Sequence, residues 1–222
     1  MTQPKKTIAC IFDLDGVLVD TAVYHYKAWK QLANELGFDF SVEQNEKLKG
    51  VNRMRSLDMI LGWGGVEKSD AEKEELAALK NKWYVEMISK MTTEELLPGT
   101  IQLLEELRRN DVSMALGSAS KNSALILERT GIRHFFNAIV DGNSVTTSKP
   151  DPEVFLKAAE LLQASPSECI VFEDAEAGVE AAIAAQMLVV GIGSTVTLPD
   201  ADLVISNLSE IDLSGIIKLR NK

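Results

Sequence analysis

The chain is poor in cysteine, carries no basic excess and has no long apolar run. Its two cysteines, Cys10 and Cys169, are too few for a disulfide framework. Both lie in apolar strand-like runs, away from any metal-ligand spacing, and read as buried free thiols in a reducing, cytoplasmic compartment. The formal net charge is -10, which argues against a nucleic-acid partner. No segment approaches the roughly 18 apolar residues that a membrane span requires. Lys5 and Lys6 precede an apolar stretch, but Asp13 and Asp15 interrupt it and no small-residue cleavage site follows, so no secretion signal is read. Internal repeats and low-complexity tracts are absent as well. No apolar stripe is left over for self-association, and a monomer is expected.

What is present is an ordinary globular composition, 45% hydrophobic and 25% charged. A length of 222 residues suffices for one core and an inserted subdomain. From about residue 97 onward, strand and helix patterns alternate. The expected strands are Val112–Gly117, Ala138–Val140, Cys169–Phe172, Leu188–Ile192 and Asp202–Ile205. Between them come helices over Ile101–Arg109, Asn122–Thr130, Pro152–Leu162 and Ala177–Ala185, and a short terminal helix closes the chain. This rhythm predicts an α/β fold with a Rossmann-like parallel sheet covered on both faces. A first strand lies within Ile8–Val17. Helical patterns fill the long interval that follows, over Ala22–Leu36, Gln44–Lys49, Arg53–Leu61 and Ala71–Lys90, punctuated by Gly37, Gly50 and Gly62–Gly65. The expected organisation is a core of residues 1–18 and 93–222 with a helical cap of residues 19–92 inserted over the active-site end. The acidic stretch from Glu67 to Glu75 reads as a solvated helix face.

Chemistry concentrates where the expected strands end, the edge at which parallel sheets bind ligands. Asp13 and Asp15 stand two apart in Phe12-Asp13-Leu14-Asp15-Gly16, a spacing that aims both side chains of a strand the same way. Two carboxylates that close repel unless one is protonated or a cation joins them. Ser118-Ala119-Ser120-Lys121-Asn122 follows the next strand; it reads as an anion cradle at a helix N-terminus or as a simple helix cap. Lys149, in Ser148-Lys149-Pro150-Asp151-Pro152, is not needed by its turn. It could neutralise a phosphate, or sit solvated on the surface. Glu173-Asp174 follows a buried strand. Acids there are costly unless paired or metal-bound, although a carboxylate facing a helix dipole is the alternative. Four such clusters at the carboxyl ends of one sheet supply nucleophile, acid/base, anion cradle, cation and metal ligands, as phosphoryl transfer requires.

In residues and order, these clusters resemble the haloacid dehalogenase-like phosphotransferase superfamily across nearly the whole chain. The segments Asp20-Thr21-Ala22, Tyr24-His25, Ala28-Trp29-Lys30 and Leu48-Lys49-Gly50-Val51 with Arg53 carry the likeness further, to its sugar-phosphate mutases. The resemblance implies a Mg²⁺-dependent mutase that interconverts β-glucose 1-phosphate and glucose 6-phosphate through a 1,6-bisphosphate. A sugar-phosphate phosphatase on the same core is the rival. Asp13 is then the nucleophile and Asp15 the general acid/base. Asp13, the backbone carbonyl of Asp15, and Asp174, with Glu173 close by, hold Mg²⁺. Ser118 and Lys149 hold the transferring phosphoryl group. Arg53, aided by Ser120, Lys121 and Asn122, grips the distal phosphate. His25 and Lys80 position the acid/base and the sugar, and Thr21, Trp29, Lys49 and Gly50 fall on the substrate side. Departures are Gly117 where Ala is expected, a change that should only loosen local packing, Phe172 where Leu is usual, and Asn52 where Ser is common. A poor match over Gly62–Lys68 bears on substrate choice.

Overall fold

The structure, a computed structural model, describes residues 8–221. Lys5 and Lys6 lie outside the described residues. Six parallel strands form one sheet in the order β3-β2-β1-β4-β5-β6, with β1 (Ala9–Phe12) near its centre. The others are β2 (Ser113–Gly117), β3 (Ala138–Val140), β4 (Cys169–Glu173), β5 (Leu188–Ile192) and β6 (Leu203–Ile205). A strand covered on both faces reads as an unbroken apolar run, and β1 is buried at every position.

The helices are α1 (Ala22–Glu35), α2 (Val42–Glu46), α3 (Arg53–Gly64), α4 (Asp70–Ile88), α5 (Thr100–Arg109), α6 (Ser123–Arg129), α7 (Glu153–Leu161), α8 (Glu176–Ala184) and α9 (Leu213–Arg220). Cys10, Phe12 and Ile170 face one side of the sheet, in a core shared with Leu103, Leu104, Ile126 and Leu219 of α5, α6 and α9. Ala9, Ile11 and Val171 face the other, against Phe155 and Ala158 of α7 and Ala181 and Ala182 of α8. Alternation along the strands therefore places Cys10 and Cys169 on opposite faces, both as buried free thiols. Helices α1, α3 and α4 enclose a third core of Trp29, Leu32, Phe40, Leu57, Ile60 and Ala77. Ala28, Tyr84 and Ile88 join these helices to the main core at their base. The acidic face of α4 is solvated, as expected, with Asp70, Glu72, Glu74 and Glu75 exposed; Glu67 is exposed too but precedes the helix, whose N-cap is Ser69. No described helix is long and apolar enough to cross a membrane.

One strand boundary corrects the sequence reading. The strand expected within Ile8–Val17 ends at Phe12, so strand alternation is not what orients Asp15. Asp13 keeps the ladder for one more step, its N–H donating to the carbonyl of Phe172 at 2.9 Å. The chain then turns at Gly16, which has φ +84°. A Cβ at Gly16 would lie 2.2 Å from Asp174 Oδ2, so only glycine lets this turn press against the acids of the next strand. Val19 bridges to both Asp15 and Leu96, which brings the two chain crossings between the helical segment and the sheet side by side.

Candidate active site

The carboxyl ends of β1, β2, β3 and β4 open onto one cavity of about 1230 Å³, roofed by α1, α3 and α4. Every residue given a catalytic, substrate-binding or metal role from the sequence lines it except Glu173, which is buried beneath.

At the floor, Lys149 Nζ donates to Asp13 Oδ1 at 2.5 Å and to Glu173 Oε2 at 2.7 Å. Lys149 is thus a buried ion-pair partner, not a solvated surface lysine. Burial alone would lower its pKa, but Asp13 and Glu173 outweigh that and hold the ammonium above its usual range. Asp13, Glu173 and Asp174 each offer an oxygen, all within 4.8 Å of one another. Three carboxylates gather here around the buried Lys149 ammonium, with Lys49 at the edge 3.6 Å from Asp174, and a negative excess remains. Burial, then the Asp13 charge, pushes Asp174 up to about 7; burial does the same to Glu173, up to about 8. A hard divalent cation satisfies an all-oxygen set of this kind, so the residues present fit a metal ion. The Asp15 carboxylate is not among the three. It accepts the Thr21 hydroxyl, and burial, then the neighbouring Asp13, raises it to about 6. Glu173 is fixed from behind: its Oε1 accepts the Ala175 N–H at 3.2 Å, and a Cβ at Gly178 would lie 2.0 Å from its carboxyl carbon.

The loop after β2 is held by its own hydroxyls and by the neighbouring strand. The Ser118 N–H donates to Val140, and Ser118 Oγ accepts the Ser120 N–H at 3.1 Å. Ser120 Oγ accepts the Asn122 N–H at 3.3 Å. Asn122, which makes no side-chain cap to α6, donates instead to Asn81 Oδ1 of α4 at 3.0 Å. Lys121 is exposed at the rim. The Lys149 loop is held from α7, where Glu153 Oε2 accepts the N–H and hydroxyl groups of both Thr146 and Thr147. Pro152 is the N-cap residue of α7 rather than its first turn, and Asp151 caps by accepting the Glu153 N–H at 2.9 Å.

The roof carries cations. Arg53 begins α3 and faces the cavity, half-buried. Lys80 is buried between the rings of Trp29 at 4.3 Å and Tyr84 at 4.7 Å, with its Nζ 3.0 Å from His25 Nδ1. Burial, then Arg53, lowers Lys80 to about 7. Burial, then Lys80 and Arg53, pushes His25 well below its ordinary range, so its ring is neutral. Lys49 pairs with Glu46 at 2.9 Å and reaches Asp174 at 3.6 Å. Gly50 lines the same edge. Sequence reasoning missed Asn81 and Tyr84; the four-residue spacing of Tyr84 from Lys80 on α4 is a signal that could have found it, whereas Asn81, directly after Lys80, has none.

The pattern of the haloacid dehalogenase-like hydrolase family matches residues 10–192, from the Asp13 strand past the Glu173-Asp174 pair. The chain belongs to that family. Among its similar members is a β-phosphoglucomutase of Bacillus subtilis, 45% identical over 92% of both chains. A solved β-phosphoglucomutase of Clostridium difficile superposes with a TM-score of 0.93 at 41% identity, covering 97% of both chains. A fructose-1-phosphate phosphatase of Escherichia coli is also similar, 31% identical over 80% of this chain and 92% of its own.

Proposed function

We propose that this chain is a β-phosphoglucomutase, interconverting β-D-glucose 1-phosphate and D-glucose 6-phosphate through an aspartyl phosphate and a β-glucose 1,6-bisphosphate. The observation that carries the reading is identity of 45% to a protein of that activity across 92% of both chains. The cavity supports it, because it offers cationic or hydrogen-bonding groups at two places: Lys149 and Ser118 on the floor, and Arg53 with Ser120, Lys121 and Asn122 at the roof and rim. An enzyme that turns a bisphosphate end for end needs two phosphate sites.

Residues 1–18 and 93–222 act as the catalytic core and residues 19–92 as the cap. Asp13 attacks phosphorus; its Oδ–P bond forms as the bond from phosphorus to the donor oxygen breaks. The leaving sugar oxygen takes its proton from Asp15, whose carboxyl, raised to about 6, retains part of the protonated form near neutrality. In the second half, Asp15 accepts the proton of the attacking sugar hydroxyl and Asp13 is released. Thr21 orients Asp15 by its hydrogen bond. Lys149 and Ser118 neutralise and hold the transferring group. Asp13, Glu173, Asp174 and the Asp15 carbonyl would hold Mg²⁺, which would supply charge stabilisation to the phosphoryl oxygens. Trp29, His25, Lys80, Lys49 and Gly50 shape the sugar side. The reading includes a reducing, cytoplasmic setting, which the two buried thiols support, and a monomer.

The E. coli relative favours the second reading, a sugar-phosphate phosphatase in which water takes the phosphoryl group. A product assay separates the two. β- and α-glucose 1-phosphate are supplied separately with Mg²⁺ and a trace of bisphosphate. Glucose 6-phosphate from the β anomer is expected; orthophosphate alone would move the assignment to phosphatase. Arg53→Ala is expected to lose isomerisation by a factor of about 100 while keeping slow hydrolysis, as removal of a charge-assisted phosphate contact implies.

A further inference from the structure

Among the described residues, three side-chain contacts away from the two chain crossings span the cleft from the helical segment to the loops beyond the sheet. Lys49 reaches Asp174 at 3.6 Å, Asn122 reaches Asn81 at 3.0 Å, and Asn52 Nδ2 donates to Ser148 Oγ at 2.8 Å. The first uses a carboxylate of the candidate metal cluster, and the second a residue of the anion loop. Only the third uses two side chains that the chemistry leaves free, so it can persist while substrate is bound. Each partner also immediately precedes a cation of the cavity: Asn52 precedes Arg53, and Ser148 precedes Lys149.

Asn52 uses both ends of its amide. Its Oδ1 caps α3 by accepting the Arg55 N–H at 3.0 Å, and its Nδ2 crosses the cleft. Serine caps a helix about as well as asparagine. Its single hydroxyl, one bond shorter from Cβ, cannot hold the cap and also reach Ser148. Asparagine at this position is therefore more than a helix cap.

We infer that the Asn52–Ser148 hydrogen bond is a latch. It closes the helical segment over the cleft with Arg53 and Lys149 in fixed register, and it keeps water from the aspartyl phosphate. Both are positioning residues. The second statement rests on the mutase reading; the first does not. When the latch opens, a water oxygen bonds phosphorus, the Asp13 Oδ–P bond breaks, orthophosphate leaves, and the water's proton passes to Asp15.

The test uses Asn52→Ser, Ser148→Ala and the double variant of the full chain. Asn52→Ser retains the cap, so its unfolding midpoint should stay near wild type. Amide exchange of residues 19–21 and 92–97, read without substrate, should quicken about fivefold in each single variant and no further in the double, as loss of one shared hydrogen bond implies. In turnover, the ratio of orthophosphate to glucose 6-phosphate should rise by a similar factor, again without addition in the double. Unchanged exchange in either single variant, or additive effects in the double, would overturn the latch. Faster exchange with an unchanged product ratio would overturn its role against water. Should the wild type release orthophosphate alone, the mutase reading fails, and the exchange coupling decides the latch by itself.

Discussion

Lys80 is a cation placed where burial works against it. No carboxylate among the described residues lies within 4 Å of its Nζ; its neighbours are the neutral His25, the rings of Trp29 and Tyr84, the like-charged Arg53 and the more distant Asp15. The unfolded chain binds this proton up to the ordinary 10.5, whereas the folded chain releases it near 7. Stability therefore rises with pH across that window, and the full penalty, on the order of 5 kcal/mol, is present below it. Lys80→Met is expected to unfold at higher urea than wild type at pH 6, with the gap closing by pH 10, and to turn over sugar phosphate more slowly. A Lys80→Met protein less stable than wild type at pH 6 would contradict this account. Gly117 gives the opposite lesson. The sequence comparison reads glycine there as loosened packing, but an added Cβ would lie 3.0 Å from Phe155 and 3.1 Å from Ile11. The ring of Phe155 already fills that space. Gly117→Ala should cost about 1–2 kcal/mol of stability by overpacking, measurable by urea unfolding. Phe172, in place of a leucine, stacks on Phe12 with centroids 4.5 Å apart, which makes a firm base beneath Glu173.

The helices and strands were largely legible because each has a local cause. Ser69 and Glu72 form a capping box at the start of α4, and Gly65 ends α3 in a left-handed turn. The 3-10 turn at Thr93–Glu95 has no apolar period to announce it in the sequence. It matters because Glu95 accepts the Tyr24 hydroxyl at 3.0 Å and its carbonyl accepts the Asp20 N–H, joining the two crossings. The loop ahead of α7 was legible only as a turn with a spare lysine. Its shape comes from Glu153, one carboxylate oxygen of which collects four donors from Thr146 and Thr147 while the other pairs with Lys157 at 2.6 Å. Lys157, then these donors, hold Glu153 far below the usual carboxylate range, so it stays ionised throughout the working pH range. Glu153→Gln keeps the size but replaces an ionised acceptor. It should slow phosphoenzyme formation about tenfold by loosening Lys149, with little change in the far-ultraviolet circular dichroism. Formation at the wild-type rate would show that the loop holds Lys149 without this anchor.

At the scale of the molecule, alternation from residue 97 onward foretold a parallel sheet, but not the order of its strands. Order depends on pairings such as β1 between β2 and β4, which leave no local periodicity. The acids were visible as residues; their convergence was not, because Asp13, Glu173 and Lys149 meet only after the sheet has formed. That convergence has a thermodynamic consequence. The folded chain gathers Asp13, Glu173 and Asp174 within 4.8 Å, whereas the unfolded chain scatters them. A divalent cation held by these three would bind the folded state alone and stabilise it by linkage, about 2.7 kcal/mol at a hundredfold excess over Kd. For a chain of this size that corresponds to a rise of about 5–10 °C in the unfolding midpoint. Wild-type protein freed of metal with a chelator should therefore melt lower and recover on addition of Mg²⁺. Asp174→Asn removes one ligand charge without disturbing the Lys149 pairs, so it should keep the fold and lose most of the recovery. An equal recovery in Asp174→Asn would place the cation elsewhere and remove Asp174 from the metal site.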